Sequence, residues 1–222
     1  MIGVSTILKR DVKRAARSGG TWAYGLVFMV IFLTLSAIAL DGEMSTLRRL
    51  GVPLIWLAVT FATLMSADRA FSEDIKDGTT GQLWLGGFGY LEQAGSGIFA
   101  FGLIHLLPLI ITAPLWSLLF DLNSETVIGL VAALLLAFPG IAAFTALAGA
   151  LTGGQGKGGF LAIFISAPLL VPILIFGVAA SQAYAITGWA AVEFRALAGL
   201  SLLALAVSVP ATAAALAANT DR

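Results

Sequence analysis

Long apolar stretches alternate with short polar segments along the whole chain. A helix needs about 20 apolar residues to cross a hydrocarbon core roughly 30 Å thick, because each residue adds about 1.5 Å. Six stretches approach or exceed that length, and they cover residues 22–40, 52–67, 96–120, 127–151, 160–180 and 196–218. The pattern predicts an all-α polytopic membrane protein, with about six transmembrane helices in a single domain over residues 1–222.

Prolines indicate where the predicted helices should start or bend. Pro53 suits the first turn of the second helix, where a missing N–H removes no hydrogen bond. Pro108 lies inside the third stretch, where it removes a backbone hydrogen bond and crowds the carbonyl four residues earlier. The same argument applies to five further prolines inside predicted spans, so we expect kinks at Pro108, Pro114, Pro139, Pro168, Pro172 and Pro210.

Basic residues predict how the chain is oriented in the membrane. Six crossings place both termini on one side, and that side would hold Lys9, Arg10, Lys13, Arg14, Arg17, Arg69, Lys76, Lys157 and Arg222. The opposite side would hold only Arg48, Arg49 and Arg195. Because loops rich in Lys and Arg stay in the cytoplasm, both termini are predicted to be cytoplasmic.

Residues 1–19 have a pattern of their own. Apolar residues recur there at helical spacing, opposite the basic ones: Val4, Ile7, Leu8, Val12, Ala15 and Ala16. This predicts an amphipathic cytoplasmic helix lying on the inner leaflet of the lipid bilayer. A basic tail without fixed structure is the alternative.

Composition narrows the chemistry that the chain could perform. Only 11% of its residues are charged, against about a quarter in soluble domains. There is no cysteine, which excludes disulfides, thiolate metal sites and cysteine nucleophiles. The formal net charge is zero, so nothing favours a nucleic-acid partner. We predict no catalytic residues and no metal site.

The polar segment at residues 68–93 is the longest predicted cytoplasmic loop. Residues 68–77 have helical composition, and Gly78 suits the end of that helix because glycine tolerates left-handed geometry. Thr79 and Gln82 have the spacing of a capping box, which predicts a second helix starting at Thr79.

An apolar cluster follows at residues 83–85, with the sequence Leu83-Trp84-Leu85. Acidic residues surround it in the same segment, namely Asp68, Glu73, Asp74, Asp77 and Glu92. Acids on a short helix next to a bulky apolar cluster favour docking of a partner protein. The alternative is an interfacial loop with Trp84 among the lipid headgroups.

A glycine-rich run at residues 153–159 superficially resembles a phosphate-binding loop. Such a loop needs glycine five residues before its Gly-Lys pair and Ser or Thr after the lysine, but Leu151 and Gly158 occupy those positions. The run is typical of a flexible turn instead. We therefore expect the chain not to be an enzyme and to obtain any use of ATP from a partner subunit.

His105 is the only histidine and lies inside the third apolar stretch. It is a candidate axial ligand for haem or a proton carrier, since ionisable residues inside membranes are costly. A lone histidine offers only one ligand, however, and imidazole also serves as an interhelical hydrogen-bond donor. We therefore predict that no cofactor is bound directly.

Small residues recur along the fourth stretch with the spacing that allows helices to approach closely: Ala142, Ala146, Gly149, Ala150 and Gly153. We expect this surface to pack within the chain, and a dimer contact is the alternative.

Several of these segments resemble a known family. The residues Glu73-Asp74, Asp77-Gly78-Thr79 and Gln82-Leu83-Trp84-Leu85 resemble the cytoplasmic coupling segment of ABC-2-type permeases. The runs at residues 8–11 (Leu-Lys-Arg-Asp), 68–74 and 167–177 are similar to the CcmB family, the haem exporter protein B of cytochrome c maturation.

The resemblance implies a permease subunit without its own ATPase site. It implies a CcmA-like ATPase, CcmC-like and CcmD-like membrane subunits, a CcmE-like haem chaperone and two copies per complex, in the bacterial inner membrane. ATP would act through the ATPase, with haem as cargo or the haem-loaded chaperone as the released species. The alternatives are a haem-binding component of a cytochrome maturation lyase and a non-transporting scaffold. The implied docking residues for the ATPase are Asp68, Arg69, Glu73, Asp74, Asp77, Gly78, Gln82, Leu83, Trp84 and Leu85.

Overall fold

The computed structural model of the chain describes residues 9, 10, 13, 23–153, 158–190 and 192–220. These residues form α-helices joined by short turns, and no β-strand occurs among them. The helices are α1 (Tyr24–Ala39), α2 (Met44–Leu64), α3 (Ser72–Lys76), α4 (Thr79–Leu85), α5 (Tyr90–Phe101), α6 (Leu107–Trp116), α7 (Ser124–Thr152), α8 (Gly158–Thr187) and α9 (Val192–Thr220).

Five helical stretches are long and apolar enough to cross a membrane: Met44–Lys76, Tyr90–Trp116, Ser124–Thr152, Gly159–Thr187 and Val192–Thr220. The apolar helix α1 is shorter, and its 16 residues span about 24 Å. The prediction of a polytopic all-α membrane protein is confirmed.

Helix α2 begins earlier than the sequence predicted. It starts at Met44 instead of residue 52, so its first two turns include Arg48 and Arg49, which the sequence placed before the helix. Both arginines are exposed, so their long side chains can leave the hydrocarbon at the helix end. Pro53 is therefore the tenth residue of the helix, and its predicted place in the first turn is wrong.

The third span is interrupted close to Pro108. Residues Gly102–Leu106 form a π-helical turn between α5 and α6, and Pro108 is the second residue of α6. A regular helix would set the proline ring against the carbonyl of Ile104. The wider turn relieves that conflict, so the sequence located this irregularity correctly. The other five prolines lie inside helices α6 to α9, and kinks at those positions remain predictions.

Helix α7 lies between α8 and α9. A Cβ at Gly140 would come within 3.0 Å of both Ile173 of α8 and Ser201 of α9, so the three helices approach closely at this level. The Ser201 hydroxyl donates to the Leu136 carbonyl (2.9 Å), and the Asn219 amide donates to the Ala150 carbonyl (3.3 Å). These two bonds attach α9 to the backbone of α7 at two levels.

The bundle has two ends, which we name by their contents. The loop end carries residues 65–89, and Gly81 there lies against Thr220 at the end of α9. The far end carries the turns before α2 and α7, where Arg48 forms an ion pair with Asp121.

The predicted charge division agrees with these ends: Arg69 and Lys76 lie at the loop end, and Arg48, Arg49 and Arg195 at the far end. That the loop end is cytoplasmic remains a prediction. Of the predicted amphipathic helix at residues 1–19, only Lys9, Arg10 and Lys13 are described, all in helical conformation, and the other residues lie outside the described part of the chain. Residues 154–157 of the glycine-rich run also lie outside it.

Candidate functional site

The 68–93 segment crosses the loop end as a series of short helical turns. A 3₁₀ turn at Ala67–Arg69 leads into α3, and α4 follows after Gly78. Gly78 has a φ of +73°, a left-handed conformation that suits glycine. The predicted stop at Gly78 is confirmed, although the helix before it is shorter than residues 68–77.

The start of α4 differs from the predicted capping box. Gly78 is the cap residue, so Thr79 is already the first residue of the helix, and the side chain of Gln82 is exposed. The Oδ1 atom of Asp77 accepts from the Thr79 backbone N–H (3.1 Å) and from the Thr79 hydroxyl (2.6 Å). The acid before the glycine thus satisfies the orphan N–H that the capping box was expected to satisfy.

The inner side of the segment packs on the bundle where glycines leave no room for side chains. Gly149 of α7 contacts Ala67, and Gly153, which directly follows α7, contacts Ile75, both so closely that a Cβ on either glycine would overlap the segment. The buried ring of Phe71 contacts Gly97 of α5 in the same way. The small residues of α7 therefore pack within the chain, as predicted, and they hold this segment.

Polar contacts fix the same side. Arg10 donates to the Asp74 carboxylate (2.9 Å), so the described part of the N-terminal segment contacts α3. The Arg69 guanidinium lies over the ring of Tyr24, 5.3 Å from its centre, which allows a cation–π interaction.

A buried amide fixes the end of the segment. Gln93 donates to the carbonyls of Thr80 (3.2 Å) and Phe88 (2.9 Å), which ties α4 and the following turn to α5. The segment is therefore positioned by hydrogen bonds as well as by packing.

The outer side of the segment carries the apolar cluster. Trp84 and Leu85 are 52% and 80% exposed, and Leu83 is half-buried. The ring of Trp84 stacks on Tyr90 with 6.1 Å between ring centres and 10° between planes. This contact holds the indole in one orientation at the surface of the loop end.

The ten predicted docking residues divide between the two sides. Exposed at the outer side are Glu73, Asp77, Gly78, Gln82, Trp84 and Leu85. Asp68, Arg69, Asp74 and Leu83 are partly buried. Sequence reasoning missed the residues that hold the segment, above all Arg10, Tyr24 and Phe71. The available signal was the i, i+4 pair of glycines at residues 149 and 153, whose partner could not be read from the sequence.

Comparison with known proteins covers almost the entire chain. The profile of the family described as "CcmB protein" matches residues 2–219. The chain belongs to the CcmB family. It is 33% identical to Heme exporter protein B of Bradyrhizobium diazoefficiens over 223 residues, covering 100% of both chains. It is also 33% identical to Heme exporter protein B of Paracoccus denitrificans, over 97% of this chain and 99% of that one.

A third CcmB relative, Heme exporter protein B of Haemophilus influenzae, is 30% identical over 97% of each chain. All three similarities include the 68–93 segment and every long helix, since they extend over nearly the full length. The family suggested by the sequence is therefore confirmed, and this CcmB-family chain is a multi-pass membrane protein.

His105 of this CcmB-family chain lies in the π-helical turn. Its ring is 5.0 Å from that of Phe101, and its Nδ1 atom is buried with no hydrogen-bond partner in the described ranges. The described residues contain no group of three or more His, Cys, Asp or Glu side chains that could hold a metal ion. Its role as a haem ligand remains a prediction.

Proposed function

We propose that this chain is the permease subunit of an ABC-type complex for c-type cytochrome biogenesis. ATP hydrolysis by a CcmA-like ATPase would drive haem delivery, or release of a haem-loaded CcmE-like chaperone, in the periplasm. Membership of the CcmB family and the name of the relatives, Heme exporter protein B, support a haem-handling role. CcmC-like and CcmD-like subunits and a second copy of the chain would complete the complex in the inner membrane, with both termini of the chain cytoplasmic.

The exposed apolar cluster is the observation that supports ATPase docking. Leu85 is 80% exposed on a seven-residue helix whose other side is held by the bundle. Burying such side chains under a partner would contribute about 1.5–3 kcal/mol each. Tryptophan is also enriched among residues that dominate binding energy at protein interfaces.

The acids beside the cluster would define the chemistry of the partner. Glu73 and Asp77 are exposed in the same segment as Trp84 and Leu85, and each also has a contact within the chain. A complementary ATPase surface would present an apolar pocket for the cluster, bordered by basic residues. Asp74 would contribute to docking indirectly, by positioning α3, because its carboxylate already accepts a hydrogen bond from Arg10.

Replacing Trp84 and Leu85 together by alanine tests the docking surface. We expect the affinity for the CcmA-like ATPase to fall by about tenfold or more, because the central apolar contacts are lost. Affinity would be measured by titrating purified ATPase onto the detergent-solubilised chain, and coupling by ATPase activity of the assembled complex.

Leu118→Ala is the matched control for this experiment. Leu118 is 82% exposed but lies at the far end, so its truncation should leave ATPase affinity unchanged. Unchanged affinity in the Trp84→Ala, Leu85→Ala double variant would show that the ATPase docks elsewhere.

A second candidate function is haem binding through His105, and the buried Nδ1 atom without a described partner favours it. We nevertheless expect the Soret absorbance of haem added to the purified chain to be the same in wild type and His105→Ala. A single imidazole supplies one axial position only, and no described cluster of ligands adds a second. A Soret shift present in wild type and lost in His105→Ala would establish the haem-binding function instead.

A further inference from the structure

A cleft of about 560 Å³ opens at the far end of the bundle, away from the docking surface. Its walls come from the first turns of α2, the turn before α7 and the last turns of α8. This volume lies within the range of small-ligand sites in proteins.

The cleft contains two arginines, of which one forms an ion pair and the other has no ion-pair partner among the described residues. The Arg48 guanidinium donates to the Asp121 carboxylate (2.8 Å from Nε), which neutralises both groups. Arg49 has no carboxylate within ion-pair distance in the described residues. Glu43 lies farther off, and its pKa is lowered mainly by hydrogen bonds from Ser45 and Thr46 and only slightly by the charge of Arg49.

Polar donors lie on the opposite walls. Gln182 is the only amide side chain in the apolar helix α8, it is exposed, and no described residue forms a hydrogen bond with it. Such a group is costly near the hydrocarbon unless it finds a partner. The Oδ1 atom of Asn123 accepts from the Thr126 N–H (2.8 Å), so the amide nitrogen of Asn123 remains available as a donor.

The donors lie at a common depth. Arg49 is five residues from the start of α2 and Gln182 is five residues from the end of α8, so both lie about 8 Å along their helices from the far end. The headgroup region of one leaflet is about 5–8 Å thick, which is a similar distance. Val52 and Leu122 line the cleft with apolar surface next to these donors.

We propose that this cleft binds an anionic group, a phosphate or carboxylate, carried on an apolar body. Arg49 would be the principal contact, with Gln182 and Asn123 donating hydrogen bonds and Val52 and Leu122 contacting the apolar part. Two compounds share this chemistry: an anionic phospholipid, and a porphyrin with its carboxylates. The assignment of a porphyrin as the ligand rests on the proposed function, whereas the assignment of a phospholipid does not.

Ligand titrations of the full chain in detergent distinguish the two sources. One arm compares dihexanoyl phosphatidylglycerol with dihexanoyl phosphatidylcholine, which lacks the net negative charge. The other compares metal-free protoporphyrin IX with its dimethyl ester, which lacks the carboxylates. Without iron, the porphyrin cannot be ligated by His105.

We expect the anionic probe of one pair to bind about tenfold more tightly than its neutral counterpart, and Arg49→Gln to abolish that preference. Gln182→Leu should weaken binding of the same probe several-fold. Arg195→Gln is the matched control, because Arg195 is an exposed arginine of the far end outside the cleft. It should leave the preference intact.

The ligand is identified by the pair of probes in which the preference for the anionic member is lost in Arg49→Gln. If neither pair shows such a preference, or if Arg195→Gln reduces it as much as Arg49→Gln, the site does not exist as proposed. The titrations contain no ATPase, so they are independent of the docking experiment on Trp84 and Leu85.

Discussion

Gly149→Ala is expected to destabilise the chain by about 1–3 kcal/mol. A Cβ at this position would overlap the backbone carbonyl of Ala67, which belongs to the turn that begins the 68–93 segment. A backbone atom cannot move aside as a flexible side chain can. The segment would have to separate from α7, and the loss would be measured as the free energy of unfolding in an SDS titration.

Gly199→Ala is the matched control for Gly149→Ala. Both glycines lie inside 29-residue helices, but a Cβ at Gly199 would meet no atom within 4 Å. Alanine also favours the helical conformation over glycine by about 1 kcal/mol. Gly199→Ala should therefore be neutral or slightly stabilising. Equal effects of the two substitutions would show that the close approach of Gly149 to the segment is not a source of stability.

Trp56→Ala is expected to cost about 3–5 kcal/mol, more than Gly149→Ala. The indole of Trp56 is fully buried in α2 and lies against Gly177 of α8, where a Cβ would overlap the ring. Its Nε1 atom donates to the Ser181 hydroxyl (3.0 Å). Truncation would leave a cavity between two long helices and remove this hydrogen bond.

Trp84→Ala is the comparison for Trp56→Ala. Because Trp84 is half exposed, its truncation should change the free energy of unfolding by about 1 kcal/mol or less. The same unfolding titration would compare both variants, and we expect Trp56→Ala to impair folding while Trp84→Ala impairs only ATPase binding. A Trp56→Ala variant as stable as wild type would contradict the packing of α2 against α8.

The long helices were predictable because membrane spans follow from local length and hydropathy alone. The ends of these helices were less predictable. The sequence pattern placed Arg48 and Arg49 outside α2, although an arginine inside a helix end can extend its side chain to the membrane interface. Similarly, Thr79 had the right spacing for a capping box, but the actual acceptor for its N–H is Asp77. Several local solutions satisfy the same N–H group, and spacing alone does not choose between them.

The exposed part of the candidate site could be predicted from the run at residues 83–85, since such a cluster in a polar loop is a local feature. The contacts that hold the segment could not. Gly149 meets Ala67 and Arg10 meets Asp74 across large separations in sequence, and those pairings exist only once the helices have packed. The far-end cleft could not be predicted either, because its walls come from α2, α7 and α8, and Arg49 and Gln182 meet there only after these helices have packed.

The two hydrogen bonds from Ser201 and Asn219 have a mechanical consequence. They join α9 to α7 at points 18 residues apart on α9 and 14 residues apart on α7, or about 27 Å and 21 Å along the two helices, so this part of the pair should move together as one rod. The Gly149 contact attaches the 68–93 segment to this rod near the loop end. A displacement of that segment by a few ångström would therefore move α7 and α9 together, and α7 follows directly on Asn123, which forms a wall of the anion cleft.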